Sequence, residues 1–350
     1  MDSLRYDISL RRRVIALAIL VVVLVIAGIL LLIKMNEKRE ITGSSFSFLV
    51  SIYDLTSPMG VATDRDEQIY VSNTGKSEVN VYDMDGVLNR KLDDTVDEKG
   101  EPLRFYSPYG IAVDDARDKL YISDYSWGGV RVLTKEGEFL YNLPKNPADL
   151  PLDPSLGWSP FSVAVGEDRI YVSSKDGIYV FGLEGEFIAH WGTRGNEMGQ
   201  YDYPNGVAVD RATGNLFVTD TINRRVVSLN SEGKLRWVLG VVDAGKGDAS
   251  VFQLPRSVAI GNDGLVYVTD TFSHRIVVLD QDGTLVSMFG ERGTDDAQFS
   301  FPEGLTISSS DRLYVADRQN NRLQIWQLAP PLPSVTPADV KRFGGALKKF

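Results

Sequence analysis

Residues Tyr203 to Leu239, YPNGVAVDRATGNLFVTDTINRRVVSLNSEGKLRWVL, recur in altered form five more times along the chain, and this repetition restricts the fold more than any other feature. Within the unit, apolar residues alternate or fall in short runs separated by turn residues, which is the pattern of strands and not of helices. It predicts four strands, Gly206 to Val209, Leu216 to Thr219, Val226 to Leu229 and Leu235 to Leu239, with Thr213-Gly214 and Glu232-Gly233 as tight turns. One such sheet cannot cover both of its faces, so it requires neighbours. The frame returns at Ser57-Pro58-Met59-Gly60, Ser107-Pro108-Tyr109-Gly110, Ser159-Pro160-Phe161, Leu254-Pro255-Arg256 and Phe301-Pro302-Glu303-Gly304, with successive prolines 44 to 52 residues apart. A period near that length with four strands per unit reads as a β-propeller.

The second strands end in VTDTINRRV, VTDTFSHRI and VADRQNNRL, and Gly192...Gly195...Gln200 and Gly290...Gly293...Gln298-Phe299 separate units. These phrases resemble the NHL repeat family. The resemblance covers about Ser45 to Leu328, is strongest in units four to six, and implies an all-β, six-bladed propeller. In units one to three it weakens: Asn73 and Glu78, then Asp124 and Gly129, stand where later units have Asp and Arg, and Ser173-Ser174-Lys175-Asp176 is a shortened loop.

Units one to five each carry an acidic-Gly pair between the third and fourth strands: Asp85-Gly86, Glu136-Gly137, Glu184-Gly185, Glu232-Gly233 and Asp282-Gly283. Unit six has none and runs into Ala329-Pro330-Pro331-Leu332-Pro333, which cannot continue a ladder. Its missing outer strand is expected upstream. Ser45 to Tyr53, SFSFLVSIY, resembles the fourth strand of unit five, GTLVSMF, and its insertion would remove a free edge. Residues 45–328 then form one propeller.

Before it, Val14 to Ile33 is an uncharged apolar run, long enough at about 1.5 Å per residue to cross the roughly 30 Å hydrocarbon core as a transmembrane helix. A cleaved secretory signal is the competing reading, but the run exceeds a usual signal core and no small-x-small cleavage pattern follows. Arg5, Arg11, Arg12 and Arg13 precede the span, and Lys34, Lys38 and Arg39 follow it. The short leading segment, residues 1–13, is therefore expected in the cytoplasm and the propeller outside it, periplasmic or at the cell surface, joined by a juxtamembrane linker, residues 34–44. Residues 329–350 form a Pro-rich and basic tail, a solvated extension or a short basic amphipathic helix returning to an anionic membrane surface.

The chain carries a formal net charge of −10, and residues 1–40 hold seven basic against four acidic side chains, so the remainder carries −13. Some NHL propellers bind RNA through basic faces, but this acidic remainder supplies no phosphate attraction, and no nucleic acid is expected. Cysteine is absent, which excludes disulfides and thiolate metal sites. His190 and His274 are the only histidines and belong to different units. Related lyases of the peptide-amidating type use a histidine-ligated zinc that two histidines cannot assemble, whereas the abundant Asp, Glu and Asn leave open a channel calcium site of the lactonase-like kind. No other cofactor is expected, and no nucleophile motif is present.

Two constellations have plain structural readings. Asp220, Asp270 and Asp317 close second strands and Arg225, Arg275 and Arg322 open third strands, placing each pair across a tight loop as an architectural ion pair. Asp83-Met84-Asp85-Gly86 and Asp280-Gln281-Asp282-Gly283 resemble the start of a calcium loop but lack its closing glutamate and read as hairpin turns.

On the face formed by loops entering first strands and joining second to third strands, units two and three present Tyr106, Tyr109, Tyr125, Trp127, Trp158 and Phe161, whereas unit five presents Arg256 and His274 and unit six Glu303 and Arg318. These aromatics either seal the channel and blade contacts or form a binding surface. The expected function is a membrane-anchored extracytoplasmic module, more readily a binder than an enzyme, that presents this face to a protein, peptide or glycan in envelope assembly or sensing. The alternatives are a calcium-dependent hydrolase or lyase at the channel and a ligand-sensing ectodomain.

Overall fold

The structure, a computed structural model, describes residues 46–92, 96, 100–152, 157–240, 251–328 and, for the backbone, 347–349. By contact the chain divides into Met1–Ser44 and Ser45–Phe350. The first unit, with the expected span from Val14 to Ile33, lies outside the described residues. Among the described residues no helix is long and apolar enough to cross a membrane.

The second unit is a ring of six antiparallel sheets. The fourth blade is representative: Pro204–Val209 is innermost, followed outward by Leu216–Asp220, Arg225–Leu229 and Leu235–Gly240, so each strand expected from the sequence is present and extends by up to two residues. The second and third strands of a blade are covered on both faces by neighbouring blades, which explains their near-continuous apolar runs. Each apolar cluster is shared by two successive blades. Phe217 and Trp237 of the fourth blade meet Val258 and Val268 of the fifth, for example. At about 1.5–3 kcal/mol for each fully buried large apolar side chain, these shared faces dominate the folding energy.

Phe46–Ile52 is the outermost strand of the sixth blade, antiparallel to Arg322–Leu328, with Phe46 opposite Leu328 and Ile52 opposite Leu323. Phe46 stacks on Phe289 of the fifth blade at 4.1 Å, and Phe48 meets Trp326 edge-on at 5.8 Å. Residues from the two ends of the propeller sequence thus share one sheet. In the tail, Leu347–Lys349 is a strand paired with the outer edge of the fourth blade, Leu347 opposite Leu239 and Lys349 opposite Trp237. For those three residues the structure has neither the solvated extension nor the alternative basic helix: the outer edge of the fourth blade offers unpaired backbone groups that an extended segment satisfies.

The expected ion pairs are architectural. Arg225 Nε donates to Asp220 Oδ2 at 2.7 Å, and its other nitrogens donate to the carbonyls of Asn196, Glu197 and Gln200, fastening the loop that enters the blade. Arg322 does the same with Asp317 and the carbonyls of Asp295 and Gln298, and Arg275 with Asp270 and the carbonyl of Val251. In the second blade Asp124 accepts from the backbone N–H of Tyr106 and Ser107 without an arginine partner at Gly129. The Asp-rich hairpins are turns: Asp83 Oδ1 accepts from Asp85 and Val87 N–H, Asp280 Oδ1 from Asp282 and Thr284 N–H.

Candidate functional site

The residue after each frame proline lies in the first two residues of an innermost strand or just ahead of it, and the six of them, Met59, Tyr109, Phe161, Asn205, Arg256 and Glu303, ring one mouth of the central channel. The glycine that follows in four frames is there because the next blade approaches too closely for a side chain. A Cβ on Gly206 would lie 2.7 Å from the carbonyl oxygen of Arg256, and one on Gly110 would lie 2.7 Å from Ser162 Cα.

The backbone of this ring is clamped by hydroxyls from the second strands. Ser123 donates to the carbonyl of Phe161 at 2.7 Å, Ser173 to Asn205 at 2.9 Å, Thr219 to Arg256 at 2.7 Å and Thr269 to Glu303 at 2.7 Å, each reaching into the next blade. Two residues further on, Thr74, Thr221 and Thr271 donate to the carbonyls of Pro108, Pro255 and Pro302. The second, third and sixth blades have Tyr125, Lys175 and Arg318 at that position. Losing the small clamp there frees the position for a long side chain, and two of these three reach the mouth.

On one side Tyr125 stacks on Phe161 at 5.3 Å and lies 5.5 Å from Tyr109, and Tyr203 extends the cluster at 6.0 Å from Phe161. On the other, Arg318 Nη1 donates to Glu303 Oε1 at 3.3 Å, Arg256 Nε lies 3.7 Å from Glu303 Oε2, and Arg256 Nη1 donates to Asn205 Oδ1 at 2.8 Å. Burial pushes the Glu303 carboxyl above the ordinary carboxylate value, opposed by the Arg256 and Arg318 guanidiniums. Burial also raises the Tyr109 hydroxyl, and the Glu303 carboxylate adds to the shift. Behind the ring the channel, about 330 Å³, is walled by small and branched apolar residues such as Val61, Ile111, Val163 and Val207. Beyond the far ends of these strands Arg211 donates to the carbonyls of Val165 and Val113, at 3.1 and 3.4 Å.

Of the residues singled out in the sequence, Tyr109, Tyr125, Phe161 and Arg256 therefore meet at the mouth. Tyr106 is exposed, with its carbonyl accepting from Ser77 Oγ. Trp127, 38% exposed, lies over the Arg131 guanidinium at 4.0 Å. Trp158 packs edge-on against Tyr179 at 4.6 Å within the apolar cluster of the second and third blades. Sequence reasoning placed Glu303 and Arg318 on this face without choosing them as binding residues, and did not place Tyr203 or Asn205 there. The usable signal is positional, since Asn205 and Glu303 follow frame prolines and Arg318 takes the place of a clamping threonine.

His190 stacks on Tyr179 at 4.2 Å in the third blade, whereas His274 Nδ1 accepts from Phe301 N–H at 3.1 Å in the fifth. Among the described residues no group of three or more His, Cys, Asp or Glu could hold a metal ion. The mouth does not fit calcium. Its one carboxylate already faces two guanidiniums, and the Asn205 oxygen is taken by Arg256.

The NHL repeat model matches residues 252–279 and 299–326. Among solved structures the chain is similar to virginiamycin B lyase from Staphylococcus aureus, with 11% identity, a TM-score of 0.54, and coverage of 81% of this chain and 99% of that one. It is similar to a streptogramin B lyase, with 14% identity, a TM-score of 0.53, and coverage of 81% and 98%. A Bacteroides thetaiotaomicron protein of unknown function matches with 16% identity, a TM-score of 0.59, and coverage of 81% and 72%. At these identities the likeness is one of fold. The chain is a six-bladed β-propeller that carries NHL repeats in its fifth and sixth blades.

Proposed function

We propose that the protein is a membrane-anchored, extracytoplasmic binding module that captures a protein or peptide partner at the channel mouth, in envelope assembly or sensing. The observation that carries this reading is the two-sided mouth, with Tyr109, Tyr125, Phe161 and Tyr203 facing a buried carboxylate held between two arginines. Two guanidiniums against one carboxylate leave a positive excess, and an aromatic shelf beside it suits an apolar or aromatic side chain next to an acidic group. The clamped ring backbone is organised before the partner arrives, which lowers the ordering cost of binding. Val14 to Ile33 is the proposed anchor, and the arginines before it keep residues 1–13 in the cytoplasm. No cofactor and no nucleic acid enter this reading.

The test is crosslinked capture from native membranes with full-length protein. Tyr125→Ala and Arg318→Ala should each lose the partner while the melting temperature stays within a few degrees. Unchanged capture in both variants refutes the mouth as the binding face, and capture of a glycan in place of a protein refutes the partner class. Protease added to intact spheroplasts should digest the propeller; full protection until lysis reverses the topology.

A second reading rests on Glu303 alone. A carboxyl whose proton affinity is raised by burial, beside a channel, is a group that can exchange a proton, and the lyases that share this fold make hydrolase or lyase chemistry the alternative. Turnover lost in Glu303→Gln with binding intact would favour it over capture.

A further inference from the structure

The seam between the sixth and first blades is built unlike the other five. Elsewhere the connection from an outermost strand to the next innermost strand is long, as from Phe289 to Pro302, and inserts large apolar side chains between the blades. Phe299 fills this role between the fifth and sixth blades, Phe252 between the fourth and fifth, Tyr201 between the third and fourth, and Phe105 between the first and second. Leu150 and Trp158 do so between the second and third. At the seam the closing strand ends at Ile52 and the frame proline is already Pro58, so the connection is short and only the smaller Leu55 takes the place, three residues before the frame proline, that Phe105, Tyr201, Phe252 and Phe299 take elsewhere. Leu55 is buried there, but Tyr53 is 56% exposed. What remains between the blades is a cavity of about 420 Å³, within the size range of small-molecule sites.

Its lining is polar in a specific way. Asn80, only 3% exposed, donates from Nδ2 to the Tyr82 hydroxyl at 3.0 Å, and its Oδ1 has no hydrogen-bond partner in the protein. Ser51 Oγ, on the closing strand, is likewise buried without a partner. The equivalent of Asn80 is Val227 in the fourth blade and Val277 in the fifth, but Arg131, Tyr179 and Gln324 in the second, third and sixth, so the position takes a polar side chain in several blades. The charged residues of the lining are three carboxylates, Asp54, Glu78 and Asp85, and two lysines, Lys76 and Lys91. Lys91 Nζ pairs with Glu78 Oε1 at 2.9 Å, and Lys76 Nζ donates to the backbone carbonyl of Asp54 at 3.4 Å. Ile52 and Leu88 add apolar surface.

We propose that this seam cavity binds a small, neutral, polyhydroxylated ligand, a monosaccharide or polyol. A hydroxyl both donates and accepts, which is what the two unsatisfied groups require: one ligand O–H donates to Asn80 Oδ1, and another hydroxyl pairs with Ser51 Oγ. The Tyr82 hydroxyl, already an acceptor, has its own hydrogen to donate. A sugar's C–H face lies against Ile52 and Leu88. An anion would meet a lining with one carboxylate more than its two lysines, and a purely apolar ligand would leave both buried groups unsatisfied. Because the ligand touches the closing strand and the first blade together, its binding holds the ring shut.

The test uses full-length protein in a detergent without a sugar headgroup, titrated with glucose, N-acetylglucosamine and glycerol and followed by saturation-transfer NMR and by thermal melting. At least one of the three should give saturable transfer. It should also raise the melting midpoint by about 2 °C or more at several times its Kd, reaching a plateau, whereas general osmolyte stabilisation keeps climbing with concentration. Asn80→Leu should abolish the saturable component. Ser51→Ala, which removes only a hydroxyl that bonds to nothing in the protein, should weaken it several-fold, and Arg256→Ala at the channel mouth should leave it intact. A methyl glycoside that binds as well as the free sugar assigns the cavity to a glycan terminus, and one that does not assigns it to free sugar. No saturable transfer from any of the three, or transfer unaltered in both Asn80→Leu and Ser51→Ala, overturns the proposal.

Discussion

Arg318 Nη1 lies 3.3 Å from Glu303 Oε1, so a side chain from the loop after a second strand completes the charge balance of a residue at the start of a first strand. Arg256 holds the other carboxylate oxygen at 3.7 Å. Glu303 is almost fully buried, whereas the Arg318 side chain is 41% exposed. Removing the carboxylate leaves two guanidiniums facing one another, so Glu303→Ala should cost about 1–3 kcal/mol in chemical denaturation. Arg318→Ala, with Arg256 still in place, should cost less than about 1 kcal/mol. Equal losses would show that the two arginines do not share the carboxylate.

The architectural ion pairs should follow burial. Arg225 and Arg322 are enclosed and each holds a carboxylate together with loop carbonyls, so replacing either by alanine should cost about 3–5 kcal/mol. The Arg275 side chain is 23% exposed and one carbonyl contact is seen, so Arg275→Ala should cost less. Urea midpoints for the three variants check the order, and a larger loss at Arg275 than at Arg225 would contradict it.

Closure by Phe46–Ile52 predicts that a chain starting at Leu55 melts well below one starting at Thr42. The shorter chain lacks the Phe46–Phe289 stack and exposes the edge of Arg322–Leu328. Identical melting curves would mean that the ring holds without this strand.

Alkaline pH should unfold the protein through its buried tyrosines. Burial raises the hydroxyls of Tyr70, Tyr121, Tyr201 and Tyr267 above the ordinary value of 10.0. The unfolded chain therefore releases these protons first, and stability is fully present below about pH 10 and falls as pH rises beyond it, by up to about 1.4 kcal/mol per pH unit for each such group. Denaturant titrations from neutral to alkaline pH, read alongside the tyrosinate absorbance, check the sign. Stability that stayed flat through this range would show that the tyrosines ionise in the folded state.

Trp158→Ala should behave as a core substitution, losing about 3–5 kcal/mol through the cavity it leaves, whereas Tyr125→Ala should lower partner affinity roughly thirtyfold, about 2 kcal/mol, with little change in melting. Trp127→Ala, stripping the ring that lies over Arg131, tests whether the binding surface extends outward from the mouth. Parallel loss of capture and melting temperature in Tyr125→Ala would instead mark that aromatic as a seal.

Local chemistry was enough to read the blades from the sequence. Strand alternation, Asp-Gly and Glu-Gly turns, the Pro-x-Gly frame and the Asp...Arg spacing act over a few residues, and the absent sixth hairpin pointed to an upstream strand. The sequence alone also listed aromatics on one face, because that needs only the order of loops in a blade. It could not separate Tyr125, which stacks over the channel, from Trp158, which turns into a blade interface, since both occupy loops and their directions depend on how neighbouring blades pack. Glu303 and Arg318 likewise come from the two ends of one blade's first loops, and Arg256 from the blade before. Only ring closure brings them around one carboxylate and removes that carboxylate from water. The seam cavity depends on closure as well, because Ser51 and Asn80 belong to different blades that meet only when the chain's ends are joined, and the short link from Ile52 to Pro58 places only Leu55 between the blades.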